Sequence, residues 1–248
     1  MKFLGLIPAR YASTRFPGKP LADIGGKPMI QRVYEQVCGC LDAVYVATDD
    51  DRIFRAVEGF GGRVIMTSPN HRSGTDRCAE AMTKVAEPFD VVINIQGDEP
   101  FIQPAQIELL KGCFDSPEVE LATLVKAFKP SDGLAALQNP NSPKVVINEA
   151  SEAMYFSRSV VPYLRNIPQE EWLEKHTFYK HIGIYAYRRD VLPRVASLPQ
   201  GCLEKCESLE QLRWLENGLR IRVAVTDVEN LAVDTPDDLR RILESGLL

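Results

Sequence analysis

The chain has 248 residues, of which 45% are apolar and 25% charged, the usual proportions of a globular protein, so disorder over most of the length is excluded. The formal net charge of -5 argues against a general binder of nucleic acids or anionic membranes, which needs a net basic face. The apolar runs are too short for a transmembrane helix, the first of them has the length of a strand rather than of an export signal, and the six cysteines lack zinc-site spacing. We therefore expect a cytoplasmic protein with reduced thiols, no membrane insertion and no nucleic-acid partner.

The first hundred residues alternate between short apolar runs and amphipathic stretches, which is the pattern of βαβ units. Strands are predicted at 3–7, 43–48, 63–66 and 91–95, and helices at 28–39, 53–60 and 78–85, with a loop over 8–28. Such connections build parallel sheets, whose ligands bind at the carboxyl ends of the strands. Polar clusters follow the first, second and fourth predicted strands and are expected at that edge.

The second half of the chain is less regular. Strands are predicted at 121–128, 144–147, 181–187 and 221–225, a helix through Leu209 and Leu215 to Gly218, a polar insertion over 157–176, and a last helix that opens at Thr235. No repeat and no linker is found. The sequence thus predicts one α/β domain over residues 1–248, with a mixed, mostly parallel sheet, helices on both faces and a smaller inserted lobe.

The loop after the first strand carries three fixed cations, Arg10, Arg15 and Lys19, among small residues that let backbone N–H groups approach a ligand. This composition suits a triphosphate, whose negative charge must be spread before a phosphoryl oxygen departs. The loop contains neither a P-loop nor a dinucleotide-binding glycine motif. A solvated basic loop is the alternative interpretation.

Several strings of residues together resemble the sugar-activating cytidylyltransferases, and most closely the 3-deoxy-manno-octulosonate cytidylyltransferase (CMP-Kdo synthetase) family. The matching stretches are Pro8-Ala9-Arg10, Ser13, Arg15, Lys19-Pro20-Leu21, Gly25-Gly26-Lys27-Pro28, His71 to Arg77, Asn94 to Pro100, Phe156-Ser157-Arg158, His181 to Tyr185, Glu207 to Arg213 and Val233 to Pro236. The likeness covers essentially the whole chain. It implies a Rossmann-like nucleotide-diphospho-sugar transferase fold and the reaction CTP + Kdo → CMP-Kdo + pyrophosphate with Mg²⁺.

The resemblance also implies roles for the residues that would hold the nucleotide and the metal. Ala9, Arg10, Ser13, Arg15 and Lys19 would bind CTP at its phosphates, with Arg10 and Lys19 neutralising the departing pyrophosphate. Arg72, Ser73 and Gly74 would contact the base. Asp98 and Asp234 would be the carboxylate ligands of Mg²⁺. Without the resemblance, Asp98 also fits a turn or helix cap and Asp234 a helix cap. No side chain is a convincing general base, and His71 is given no acid–base role.

An eight-carbon acid sugar needs a cation for its carboxylate and polar groups for its hydroxyls. By resemblance, the candidates are Arg77, Gln96, Arg158, His181, Tyr185, Glu207 and Gln211. His181 and Tyr185 are expected on one face of a strand, and Glu207 and Gln211 on one face of a helix. A core-facing pair and a solvated helix surface, respectively, are the alternatives.

The resemblance further implies a homodimer, with a sugar-binding and dimerisation lobe within about 130–210 and a contact through 156–163. Two other functions stay open from the sequence. One is a cytidylyltransferase for 8-amino-Kdo or a nonulosonic acid, and the other is a non-catalytic nucleotide sensor on the same fold.

Overall fold

The computed structural model describes residues 1–12, 16–228, 232–233 and 235–244. Its strands are β1 (Phe3–Ala9), β2 (Asp23–Ile24), β3 (Lys27–Pro28), β4 (Ala43–Thr48), β5 (Val64–Met66), β6 (Val91–Asn94), β7 (Leu121–Ala127), β8 (Lys144–Ile147), β9 (Ala153–Ser157), β10 (Tyr179–Arg188) and β11 (Arg222–Val225). Its α-helices are α1 (Met29–Val37), α2 (Asp51–Gly59), α3 (Gly74–Thr83), α4 (Pro104–Gly112), α5 (Gly133–Gln138), α6 (Trp172–Lys175), α7 (Val191–Ala196), α8 (Cys202–Glu207), α9 (Gln211–Glu216) and α10 (Pro236–Glu244). Among the residues described, no helix is both long and apolar enough to cross a membrane.

The chain divides into two compact units. The first comprises Met1–Glu108, Ala186–Ala196 and Asn230–Leu248, and the second comprises Leu109–Tyr185 and Ser197–Glu229. These bounds differ from the lobe expected within about 130–210, and the single domain with an inserted lobe stays a prediction. None of the six cysteines, all of them in the described ranges, forms a disulfide, and Cys78 is buried whereas the other five are partly or fully exposed.

The first unit is built on parallel strands. β1 pairs with β4 on one side and β6 on the other, and β4 also pairs with β5. The register sets Pro8 beside Ala47 and Leu6 beside Asn94, so the segments that leave β1, β4 and β6 emerge at the same edge. β1 and β6 are buried along nearly their whole length, as continuously apolar strands of a sheet covered on both faces are.

Local sequence explains most of the helix boundaries in the first unit. Asp50 and Ser73 cap α2 and α3 with side-chain oxygens, and α1 buries the apolar face that its spacing predicted. Two expectations are wrong in detail. The expected loop over 8–28 contains a 3₁₀ turn (Lys19–Leu21) and the hairpin β2–β3, and Pro28 immediately precedes α1 instead of being its first residue.

The second unit contains both parallel and antiparallel pairs. β7 pairs with β11 in parallel, whereas β8 runs antiparallel to β10 and to β9. The polar insertion over 157–176 also contributes to the core, because Trp172 of α6 is buried against Phe128, Leu137 and Phe178. Taken unit by unit, the molecule is an α/β protein with a mixed, mostly parallel set of strands, as predicted.

One prediction about the second unit is wrong. Glu207 and Gln211 do not share a helix face, because α8 ends at Glu207 and Gln211 begins α9. Ser208 separates the two helices in the left-handed conformation, with φ 51°. Residues four apart share a helix face only within one continuous helix, and residues 207–211 do not form one.

Candidate active site

A cavity of about 290 Å³ opens in the first unit at the carboxyl ends of β1 and β6. It is lined by Pro8, Ala9, Arg10, Lys19, Pro20, His71, Arg72, Ser73, Gly74, Arg77, Gln96, Gly97 and Asp98. Four of these side chains are fixed cations and one is a carboxylate, so the cavity is suited to a polyanion held together with a cation.

The sequence-predicted nucleotide residues converge at this cavity. Ala9, Arg10, Lys19, Arg72, Ser73 and Gly74 all line it, together with the predicted metal ligand Asp98. Arg77 and Gln96, predicted for the sugar, line it as well. Ser13, Arg15 and the second predicted metal ligand, Asp234, lie outside the described residues.

Lys19 and Asp98 form an ion pair inside the cavity. The Lys19 ammonium donates to Asp98 Oδ2 at 2.6 Å, and the two side chains are 15% and 30% exposed. The turn that carries Asp98 is held against β1, since a Cβ on Gly97 would lie 2.9 Å from the carbonyl oxygen of Pro8. Only glycine allows this approach without a shift of the backbone.

The cationic loop is closed at its base by Tyr11 and Gly18. The Gly18 N–H donates to the Tyr11 carbonyl at 3.0 Å, and Gly18 has φ 74° with a tyrosine ring where a Cβ would be. The Arg52 guanidinium lies over the same Tyr11 ring, 3.2 Å from its centroid, and pairs with Asp50. These contacts fix the segment from which Lys19 enters the cavity.

The loop before α3 brings the start of that helix to the cavity. Ser73 Oγ accepts the N–H of Asp76 at 3.1 Å, and the Asp76 carboxylate accepts the N–H of Ser73 at 3.2 Å. A Cβ on Gly74 would lie 3.1 Å from the ring of Pro8. Helix α3 therefore begins close against the end of β1, with N–H groups at its first turn.

In the second unit, Glu207 and Arg158 are interlocked. The Glu207 carboxylate accepts from the Ser157 hydroxyl at 2.7 Å and from the Arg158 N–H at 2.9 Å. The Arg158 guanidinium donates to the carbonyl oxygens of Glu207, Pro140 and Ser208. These bonds fix both side chains in place, with the guanidinium directed at backbone oxygens.

His181 and Tyr185 lie on one face of β10, as predicted, with ring centroids 5.2 Å apart. His181 also contacts Phe156 edge-on, and its Nε2 lies 3.1 Å from Thr123 Oγ1. Desolvation lowers the pKa of His181 to about 3, so the ring is neutral at physiological pH. Gln211 is buried, and its Nε2 has no hydrogen-bond partner within the described part of the chain.

A family model described as cytidylyltransferase matches residues 4–221 of the chain. The chain belongs to the cytidylyltransferase family. This confirms the resemblance drawn from the sequence motifs, and the cavity that collects those motifs is the candidate nucleotide site of the cytidylyltransferase.

Relatives of the cytidylyltransferase match it over almost its full length. A protein of Phocaeicola vulgatus named 3-deoxy-manno-octulosonate cytidylyltransferase is 64% identical, covering 97% of this chain and 96% of the relative. A protein of Shewanella sediminis named 8-amino-3,8-dideoxy-manno-octulosonate cytidylyltransferase is 47% identical, with coverages of 98% and 97%. A solved structure of CMP:2-keto-3-deoxy-manno-octonic acid synthetase complexed with CTP superposes with a TM-score of 0.89 at 46% identity, covering 99% of this chain and 98% of that one.

Several residues of the cytidylyltransferase site were missed by the sequence analysis. Asp49 and Thr67 contact the guanidinium of Arg77, and Glu80 contacts His71, which the sequence analysis gave no acid–base role. Glu80 and Lys84 do carry an i,i+4 signal, but that spacing is equally typical of an exposed helix face.

Proposed function

We propose that this cytidylyltransferase transfers CMP from CTP to the acid sugar Kdo (3-deoxy-D-manno-octulosonate), releases pyrophosphate and supplies activated sugar for lipopolysaccharide. The observation that carries the proposal is the meeting of Arg10, Lys19 and Asp98 at one cavity, at the carboxyl ends of β1 and β6. The 64% identity to a relative named for this sugar favours Kdo as the acceptor.

The proposed chemistry makes specific demands on the cavity. A sugar hydroxyl attacks the α-phosphorus in line, and negative charge accumulates on the departing pyrophosphate. Arg10 and Lys19 bind and orient the phosphates and offset that charge, because cations already in place need no reorganisation as the bond breaks.

Mg²⁺ is the proposed cofactor, and the residues present fit it. Asp98 lines the cavity and already accepts a cation, the Lys19 ammonium. The described residues contain no cluster of three or more His, Cys, Asp or Glu side chains that could hold a metal ion. Mg²⁺ typically takes one or two carboxylates and completes its shell with phosphate oxygens and water, so a single carboxylate beside bound phosphates would suit it. When bound, Mg²⁺ would neutralise phosphate charge and lower the pKa of the attacking hydroxyl.

Asp234 is the proposed second carboxylate ligand, and its neighbours support this. Val233, the residue before it in the sequence, donates its N–H to the Asp98 carbonyl at 2.9 Å. Thr235, the residue after it, exchanges hydrogen bonds with Asp238 and so provides the cap of α10. The helix therefore does not require the aspartate as its cap.

Removing the Asp98 charge tests the metal assignment. Asp98→Asn keeps the size of the side chain but removes a ligand charge, so Mg²⁺-dependent turnover should fall by a factor of about a hundred or more. Calorimetric titration of Mn²⁺ into the CTP-bound protein should show correspondingly weaker binding. Wild-type turnover and Mn²⁺ affinity in this variant would remove Asp98 from the mechanism.

The sugar role of Arg77, Gln96, Arg158, His181, Tyr185, Glu207 and Gln211 remains part of the proposal. The buried Nε2 of Gln211, which has no hydrogen-bond partner among the described residues, supports a ligand contact in the second unit. The 47% identity to a relative named for 8-amino-3,8-dideoxy-manno-octulosonate makes that sugar the second candidate acceptor.

Pyrophosphate release decides among these functions. The purified protein is assayed with CTP or UTP, with and without Mg²⁺, and with Kdo, 8-amino-Kdo or a nonulosonic acid. We expect release with CTP, Kdo and Mg²⁺ together. Clear preference for another sugar would reject Kdo as the acceptor, and CTP binding without release at saturating Mg²⁺ and every sugar would indicate a nucleotide sensor.

We also propose that the enzyme is a homodimer acting in the cytoplasm. Tyr163, within the segment 156–163 proposed for the dimer contact, is 72% exposed in the single chain. Sedimentation of the purified protein should give twice the mass of one chain, and burying this ring should protect it from chemical modification.

A further inference from the structure

The loop over 67–73, between β5 and α3, is held from one side by two oppositely charged residues of α3. Arg77 Nη1 donates to Thr67 Oγ1 at 2.6 Å and to the Ser68 carbonyl at 3.5 Å. The Glu80 carboxylate accepts the Ser68 N–H at 2.9 Å. Both polar groups of the Ser68 backbone are thus bonded to α3, one to a cation and the other to an anion one turn further along the helix.

Glu80 has a second contact with the same loop. The oxygen that accepts the Ser68 N–H, Oε2, also contacts His71 Nε2. A ring nitrogen beside a carboxylate carries the hydrogen, so the contact fixes the orientation of the imidazole. His71 is one of three loop residues that line the cavity, with Arg72 and Ser73.

The charges of the two helix residues are balanced outside the cavity. Lys84 donates to Glu80 Oε1 at 2.7 Å, and Arg77 Nη2 lies 3.4 Å from Asp49 Oδ1. The hydrogen bond from Lys84, then the Ser68 N–H and the His71 contact, lower the pKa of Glu80 to about 2. Glu80 therefore stays ionised at every pH at which the enzyme would work, and the 3% exposure of Arg77 shows that its guanidinium is largely enclosed.

We propose that Glu80, together with Arg77, is a positioning residue for nucleotide recognition: it holds the loop over 67–73 in the place that contact with the cytosine base requires. The proposal rests on the proposed use of CTP in this cavity. It gives Arg77 a role in placing the loop that would show in the KM for CTP, beside any effect of its proposed sugar contact on the KM for the sugar.

The physical consequence is selective. Loss of the Glu80 carboxylate leaves the Ser68 N–H and His71 without their acceptor, so the loop is placed less well and the base is bound more weakly. The phosphate side of the cavity is formed by other residues, Arg10, Lys19 and Asp98, of which Lys19 and Asp98 pair with each other. Binding of the base should become weaker while the rate of the chemical step is preserved, so the KM for CTP should rise and kcat should stay the same.

The experiment compares Glu80→Ala, Glu80→Gln and the control Glu87→Gln in pyrophosphate release with CTP and with UTP. We expect Glu80→Ala to raise the KM for CTP about tenfold, because that is the effect of losing one hydrogen bond to a charged group. Its kcat should stay within about twofold of wild type. Glu80→Gln keeps an acceptor oxygen and should lie between. Preference for CTP over UTP should fall in the same order. Glu87 pairs with Arg63 and Tyr45 away from the cavity lining, so its variant should match wild type.

Two further measurements keep the outcome decisive. If Glu80→Ala does not fold, as circular dichroism would show, Glu80→Gln and calorimetric CTP binding decide in its place. Arg77→Lys should raise the KM for CTP, whatever effect the loss of its proposed sugar contact has on the KM for the sugar. Wild-type CTP affinity and base preference in the folded Glu80 variants, or a rise confined to the sugar KM in Arg77→Lys, would overturn the proposal. A wild-type protein that releases no pyrophosphate from CTP would instead refute the proposed function.

Discussion

Lys19 has two partners in the proposed cycle, and replacing it with methionine separates their effects. In the structure, its ammonium lies 2.6 Å from Asp98 Oδ2, with the two side chains 15% and 30% exposed. With nucleotide, the same ammonium is expected on the phosphates. Lys19→Met keeps the apolar stem of the side chain and removes only the charge.

The magnitude follows from the type of bond that is lost. A hydrogen bond to a charged group contributes about 1.5–3 kcal/mol, and each 1.4 kcal/mol changes an equilibrium or rate constant about tenfold. We therefore expect kcat/KM for CTP to fall by a factor of about 10–100. The free energy of unfolding should change by about 1 kcal/mol or less, since the pair with Asp98 is partly solvated.

The assay is pyrophosphate release at varied CTP, with urea unfolding in parallel. Lys27→Met is a matched control, because Lys27 pairs with Glu35 at the same 2.6 Å but with both side chains 43% exposed. The control should keep wild-type kcat/KM. Equal kcat/KM values for the wild type and Lys19→Met would refute the assignment of Lys19 to the phosphates.

Three further predictions concern the fold around the candidate residues. Gly97→Ala places a Cβ 2.9 Å from the Pro8 carbonyl oxygen, so the turn that carries Asp98 must shift. We expect kcat/KM to fall about tenfold or more. An unchanged kcat/KM would show that the turn tolerates the shift. Arg213→Met leaves the buried Glu204 carboxylate without the guanidinium that lies 2.8 Å away, which should lower the free energy of unfolding in urea by about 3 kcal/mol, whereas a loss below about 1 kcal/mol would contradict burial of the pair. The pKa of His181 is about 3 in the folded protein and 6.5 ordinarily, so the unfolded chain takes up a proton first as the pH falls below 6.5. The free energy of unfolding should therefore drop by about 1–2 kcal/mol between pH 7 and pH 5. The variant His181→Gln should not show this drop.

The main strands and the capped helices were predictable because their signals are local. Continuous apolar runs predicted β1 and β6. The capping signal of Ser73 with Asp76 is equally local, but the helix predicted at 78–85 overlooked it and began four residues after the start of α3. The break at Ser208 was not predictable in the same way. A serine in the left-handed conformation has no strong local signature, and the surrounding contacts of Arg158 with Glu207 and Ser208 come from a distant part of the chain.

The sequence by itself determined the alternation of strands and helices in the first hundred residues and the family, because apolar periodicity and the spacing of motifs are properties of the chain. It also indicated that the cationic loop and Asp98 follow strands of one parallel sheet. Only the tertiary structure decided which side chains meet: Lys19 pairs with Asp98 across 79 positions, and Glu80 accepts from Ser68. Such pairs depend on strand register and helix packing. These set the distances between side chains that are far apart in the sequence, and no local pattern of residues encodes those distances.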